Sequence, residues 1–403
     1  MLHTHVTAAD VALFAAGRLG SRDLRRFLQQ AATTCALCRM KLRFYLPPGE
    51  TCPERHIALW AEERNGLARL QDRQGSAPFE GCYARFRHVA RKVHGWARVE
   101  HLLELSYEMR FRNPEQMLLL AQGAASVANT LGALPIDQGR YPPVLKADLR
   151  ARAQIGLANA YRLNHDFAHA ESCLGAAAEL IEKGHCAPRT VGFLKDIYAG
   201  ILMDQRRLDE AIRVLGSLRR HYLTFGESHL AGRTLLRKGI ALFVGARPQA
   251  AIEAIREGLA SLTADRDPGL LSHGQHALIS ASVEAGNARE AGRLLRESGL
   301  SHAWAANPLS LLKLRWSEGT IFAGLGELSR AGEIFKETRE AYLRRDRRYM
   351  VALINMDFAD VLLRQGRRAE MKPLAEEALR TFRDLKVESE ALKAVCLLGA
   401  AGA

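Results

Sequence analysis

Small apolar residues recur along this chain at a fixed step. Gly286, Gly326 and Gly366 stand 40 residues apart, in the strings EAGNAREAGRLL, GLGELSRAGEIF and RQGRRAEMKPLA. Each glycine precedes a short polar turn and then a helix pattern whose contact residue is Ala291, Ala331 or Met371. The series runs back through Ala251, Ala211 and Ala170. Upstream of each turn lies a second helical pattern with its own small contact residue. The pairs are Ala158 with Tyr161, Ala199 with Leu202, Gly239 with Leu242 and Gly319 with Phe322; Ile279 with Ser282 and Ala359 with Leu362 follow the rule less closely. One helical turn after each contact residue of the second helix comes a larger apolar one: Leu174, Leu215, Ile255, Leu295 and Phe335, with Ala375 breaking the rule in the last repeat. A small residue lets two antiparallel helices approach, and a bulky one a turn later fills the gap to the next pair.

The pattern predicts six helix hairpins over 147–385. A less regular seventh precedes them, made from the helix near Val99 to Arg110 and the string RNPEQMLLLAQGAASVA. A capping helix follows from Val387 to Leu398. A single hairpin cannot bury its apolar face alone, whereas stacked hairpins bury a continuous core. No sustained period-2 run enriched in Val, Ile or Thr signals a strand.

These residues resemble tetratricopeptide repeats, in a variant of about 40 residues rather than about 34. The resemblance implies an all-α fold, a right-handed α-solenoid of stacked helix hairpins, whose concave groove is lined by the first helix of each pair. Counted from the contact alanines, the groove positions include Arg152, Asn159 and Arg162, then Asp196, then Arg233. Later repeats contribute His276, Lys313, Trp316, Asp360 and Arg364. Arg, His and aromatic side chains are what interface hot spots use. Arg152, Asn159, Arg162 and Arg233 resemble the groove residues with which this family holds a peptide's acidic groups, and the expected partner is therefore an acidic protein or peptide. Trp316 has a second reading as a core residue, because its helix is apolar on more than one side.

The N-terminal quarter differs. It divides into a helical head over 1–45, a linker with basic helices over 46–95, and the array over 96–403. Cys35-Ala-Leu-Cys38 has zinc-knuckle spacing, two thiolates within reach of one ion. The string TAADVALFAAGRLGSRDLRRFLQQAATTCALC resembles the zinc-binding anti-sigma fold of bacteria. That resemblance implies an upstream ligand, His5 or His3, and a link to regulation of transcription. Ala31 and Gln30 stand where that family places a histidine. Cys52 and His56 offer a local alternative to the upstream ligand, as CxxC-x13-C-x3-H. The cofactor expectation is none, with zinc at the head as the exception.

Composition narrows the function. The 403 residues are 48% hydrophobic and 25% charged, with a net charge of +13, which excludes global disorder. Residues 1–95 hold seven of those surplus positive charges. The string ARFRHVARKVHGWAR, with Tyr83 beside it, supports an alternative reading as a nucleic-acid-binding regulator. Seven cysteines and a start without a basic, then apolar, leader point to a reducing cytoplasm. The uncharged stretch Met117 to Leu134 carries Gln122, Ser126, Asn129 and Thr130 on one face, and is read as an amphipathic helix rather than a membrane span. No GxxxxGK[ST], HExxH or GxSxG string occurs, and no catalytic residue is predicted. The sequence thus predicts a non-catalytic interaction scaffold or adaptor, in bacterial regulation or signalling, with homo-oligomerisation left open.

Overall fold

A computed structural model describes residues 95–110, 113–133, 140–262, 268–385 and 387–402, together with Asp10, Asp23 and Glu63. The cysteines and histidines of the head (His5, Cys35, Cys38, Cys52 and His56) lie outside the described residues. Every regular element among the described residues is a helix. They form two compact units, one ending at Thr234 and one beginning at Leu235.

In the first unit, α1 (Gly95–Met109) pairs with α2 (Pro114–Thr130), α3 (Pro143–Leu163) with α4 (Phe167–Lys183), and α5 (Pro188–Asp204) with α6 (Leu208–Thr224). First helices also touch one another, α1 against α3 and α3 against α5. The unit boundary falls inside α7 (Ser228–Val244).

The second unit continues with α8 (Pro248–Ser261), α9 (Pro268–Glu284), α10 (Ala288–Glu297) and the single turn α11 (Leu300–Ala303). Then come α12 (Pro308–Leu325), α13 (Leu328–Leu343), α14 (Arg348–Arg364), α15 (Arg368–Asp384) and α16 (Glu388–Gly402). Here α9 packs on α12 and α12 on α14, while each also packs on the second helix of its own pair.

The forty-step series is the contact series. Ala170, Ala211, Ala251, Ala291, Ala331 and Met371 are all fully buried. The larger residues lie against the small ones of the first helix in their own pair, and not solely in the gap to the next pair as the pattern suggested. A Cβ placed on Gly319 would lie 2.6 Å from Cε1 of Phe335, and one on Gly239 2.5 Å from Cγ1 of Ile255. Contacts this short leave room only for hydrogen, so the backbones of these pairs sit closer than alanine allows. In the last repeat the order of sizes is reversed. Met371 and Ala375 are both fully buried beside Ala359 and Leu362, so the pair keeps its combined volume.

The turns within hairpins share one backbone motif. At Gly326 (φ 83°) the N–H donates to Ala323 O, and Glu327 N–H donates to Phe322 O. That is the Schellman pattern, which satisfies two carbonyls at the end of α12 and requires a left-handed residue. Gly286 and Gly366 repeat it one step before and one step after. Earlier in the chain the left-handed residue is Ala246 (φ 57°), Arg206 (φ 61°) or His165 (φ 60°), with the same two bonds. In each case the next helix begins two residues after the left-handed one.

One hairpin departs from the pattern. The second helix that follows Gly286, α10, carries Leu295 as the pattern predicts but stops two residues later at Glu297; Gly299 then adopts a φ of 64°, and the single turn α11 follows. Ser298 Oγ donates to Leu295 O and accepts from Leu300 N–H, so the sequence Ser298-Gly299 ends the helix. The redirected chain drives Trp304 into the core formed with Ile279 and Leu314.

Candidate functional site

The first helices carry the predicted groove residues, and the structure joins them across repeats. In the first unit Arg152 on α3 bonds the carboxylate of Glu100 on α1, which is almost wholly buried. Arg162 donates to Asn159 Oδ1 from Nε (3.2 Å) and Nη2 (3.1 Å), and to Asp204 Oδ2 on α5 from Nη1 (2.6 Å). Arg233 Nη2 donates to Asp196 Oδ2 at 2.6 Å. The Asp196 carboxylate holds the Arg233 guanidinium above its ordinary pKa, against the opposing effect of burial. Buried charge is stable only when paired and hydrogen-bonded. The arginines expected to grip an acidic peptide are therefore each bonded to a carboxylate of this chain.

The second unit gives a different face. His276 on α9 lies 3.0 Å through Nε2 from Ser317 Oγ on α12. Its ring packs on Trp304 at 5.3 Å between centroids, as His273 does at 5.6 Å. Burial, with Lys313 and His273 adding, lowers the His276 pKa to about 4, so the ring is neutral at pH 7. The pair of histidines is thus spent on an aromatic contact. Trp316 Nε1 donates to Asp357 Oδ2 on α14 at 2.7 Å. The Trp316 ring is half-buried beside Phe335 and Leu312, so one side chain serves both the core and the polar row. Burial, with Glu284 and Asp360 adding, pushes the Asp357 carboxyl up to about 7, against the Trp316 hydrogen bond and Lys393. Arg364 Nη2 donates to Ala323 O at 2.9 Å, capping the last turn of α12, and its Nη1 is 3.6 Å from Asp360. Lys313 and Asp360 are exposed.

Asp357 is the residue that sequence reasoning missed. It falls three residues before the predicted Asp360, and its signal was a carboxylate in the apolar string INMDFADVLL, 41 residues after Trp316. His276 and Ser317 are separated by the same 41 residues. The spacing is that of neighbouring first helices, so it marks side chains that meet from one repeat to the next.

Among the described residues no group of three or more His, Cys, Asp or Glu could hold a metal ion, and no helix is long and apolar enough to cross a membrane. The basic stretch that supports nucleic-acid binding lies mostly outside the described residues, and nothing in the described ones favours that alternative.

Antiparallel helix pairs in a forty-residue register, joined by polar rows along their first helices, define an all-α helical-repeat fold similar to that of tetratricopeptide-repeat structures. Solved structures agree. The apo form of RapI is 14% identical with a TM-score of 0.54, over 72% of this chain and 98% of that one. A Rap protein complexed with competence and sporulation factor is 14% identical with a TM-score of 0.52, over 98% and 96%. A signal transduction ATPase with a tetratricopeptide repeat sensor, from Pyrococcus horikoshii, is 13% identical with a TM-score of 0.53, over 97% of this chain and 55% of that one. At such identities the likeness is one of fold. No protein-family model and no curated protein matches the sequence.

Proposed function

We propose that this chain is a non-catalytic interaction protein, an adaptor or regulator that holds a partner polypeptide along the first helices of its hairpins. The observation that carries this reading is the row on α9, α12 and α14. There His276–Ser317 and Trp316–Asp357 are locked across repeats, while Lys313 and Asp360 stand exposed beside them. An interface gains affinity when its aromatic and polar groups are already ordered before binding. The fold is shared with a Rap protein solved in complex with competence and sporulation factor, which supports a binding role for such a face. An acidic partner at Arg152, Arg162 or Arg233 would have to displace Glu100, Asp204 or Asp196. The second unit, with Glu284, Asp357 and Asp360 near one another, instead suits a partner that brings a positive group. The cytoplasm and a bacterial regulatory pathway belong to the same reading.

The test is capture of partners from cell extract by the full chain, read by mass spectrometry. The comparison is the double variant Lys313→Glu, Asp360→Lys, altered only at exposed positions. Partners held by the first-helix face are lost from the variant while its helical circular-dichroism spectrum is retained. Recovery of the same partners in the same amounts overturns the assignment.

A further inference from the structure

The turn between α13 and α14 is rich in arginine. It carries Arg344, Arg345, Arg347 and Arg348 around Asp346, and the end of α15 adds Arg380 and Arg383. This turn and the end of α15 enclose a cleft of about 290 Å³. Leu343 and Val351 give the cleft an apolar part. Charged side chains line the rest, Arg347, Arg348 and Arg380 against Asp346, Glu377 and Asp384. The balance tips once internal partners are assigned. Glu377 is taken by Arg339, whose Nη2 donates to it at 2.7 Å. Asp384 meets Arg348 at 3.4 Å with both side chains exposed, a pair worth little in water. The guanidiniums of Arg347 and Arg380 have no hydrogen bond or ion pair among the described residues. Arg152, Arg162 and Arg233 on the first helices are instead each bonded to a carboxylate of the chain. The register shows that the fold does not require cations here. Forty residues before Arg347 and Arg348 stand Asn307 and Pro308, and Asn307 Oδ1 accepts from the N–H groups of Leu309 and Ser310 to start α12. Arg347 makes no such bond to α14, because arginine has only donors.

We infer that this cleft is a docking site for an acidic segment of a partner polypeptide, whose carboxylates are held by Arg347 and Arg380 and whose aliphatic stems lie on Leu343 and Val351. Charge complementarity carries the assignment. A guanidinium fork matches a carboxylate in two parallel hydrogen bonds. At the first-helix arginines an acidic partner has to displace an internal carboxylate, whereas at Arg347 and Arg380 it displaces none. The site is distinct from the row on α9, α12 and α14. Arg348 begins α14 and Asp360 lies twelve residues along it, about 18 Å away at the rise of a helix. Asp346 is the lining carboxylate that opposes such a ligand, and it has no hydrogen bond or ion pair from its side chain among the described residues. Its backbone is left-handed, at φ 50°, where Gly226 stands three steps earlier with the same two bonds to the end of its helix. The turn therefore accepts glycine at this position.

Fluorescence anisotropy of a labelled peptide of alternating glutamate and alanine, titrated with the full chain at low salt, tests this. Saturable binding is expected. The double variant Arg347→Glu, Arg380→Glu raises the dissociation constant at least about tenfold, or about 1.4 kcal/mol. Both residues are exposed, so the helical circular-dichroism spectrum is retained. The double variant Arg213→Glu, Arg220→Glu makes the same change of net charge at exposed positions of α6 and keeps the wild-type affinity. So does the variant Lys313→Glu, Asp360→Lys, which separates this site from the first-helix face. Asp346→Gly removes the opposing carboxylate and frees the backbone, so it tightens binding and raises the melting temperature. Absence of saturable binding overturns the proposal. Equal weakening by the variant on α6 does the same, since net charge alone would then draw the peptide, and so does an unchanged affinity in Asp346→Gly. A single-stranded oligonucleotide that binds Arg347 and Arg380 more tightly than the peptide gives the cleft to nucleic acid, and also overturns the proposal.

Discussion

Ala246 sits in the left-handed region, at φ 57°, because the Schellman turn after α7 leaves it no alternative. A side chain there costs about 1–2 kcal/mol, and glycine gives back part of that through its freer unfolded chain. Ala246→Gly is exposed and touches no core, so it raises stability by about 0.5–1 kcal/mol in thermal or urea unfolding. Gly326→Ala, at the same register with nothing within 4 Å of its Cβ, lowers stability by a similar amount. Equal responses at the two positions would show that space, rather than backbone conformation, controls the turn. Asp357 gives a second prediction at this scale. Its pKa in the folded chain is raised from 3.8 to about 7, so folding favours the protonated form. That contribution is complete below about pH 4 and is lost as pH rises through about 7. Asp357→Asn keeps an oxygen to accept from Trp316 and removes the titration. The variant is more stable than the wild type at pH 8 by up to about 4 kcal/mol, and the difference vanishes near pH 4. A difference independent of pH contradicts the cause given for the shift. The alanine–glycine ruler was legible in the sequence because it depends only on size. The pairing of Arg152, Arg162 and Arg233 with internal carboxylates was not, because a solvated arginine and a paired one carry the same letter.

At the scale of elements, the first helix carries two demands on one face: close packing on its own partner and polar contact with the next first helix. Gly319 shows the first demand. Gly319→Ala pushes against Phe335 and Ile334 and destabilises the second unit by about 1–3 kcal/mol, less the roughly 1 kcal/mol that alanine gains in helix propensity. Hydrogen exchange should show the lost protection in α12, α13 and α14. Unchanged protection there would mean that the backbones can part at no cost. The helices and their order could be read from the repeat, since a forty-residue period with small contact residues admits few other packings. The interruption after α10 could not. Ser298-Gly299 reads as an ordinary surface pair in sequence, and only the buried Trp304 shows what the break accomplishes. Helix α16 was legible as an element and was expected to cap the array.

At the scale of the molecule, uniform periodicity gave no sign that the chain divides at Thr234 and Leu235, since the contact residues continue through α7 without a break in step. It also gave no sign of how the first hairpin is anchored. Glu63 supplies that anchor. Its Oε2 accepts from Ala97 N–H at 2.9 Å, its Oε1 lies 3.2 Å from Arg140 Nη2, and Tyr141 O–H donates to it. Burial pushes the Glu63 carboxyl above its usual range despite these partners, which marks a charge taken out of water to close the start of the array. Removing residues 1–94 deletes that carboxylate and leaves Ala97 N–H and the Tyr141 hydroxyl without it. The hairpins from α3 onward keep their own cores, because each repeat is stabilised chiefly by its neighbours. The truncated chain therefore stays helical and melts cooperatively, while amide protection falls at α1 and around residues 140–141 relative to the full chain. Glu63→Gln in the full chain reproduces that local loss in milder form, since the amide still accepts but carries no charge to meet Arg140. Collapse of helicity throughout the truncated chain would mean that the N-terminal quarter organises the repeats, and the forty-residue step would then describe a pattern without being the cause of the fold.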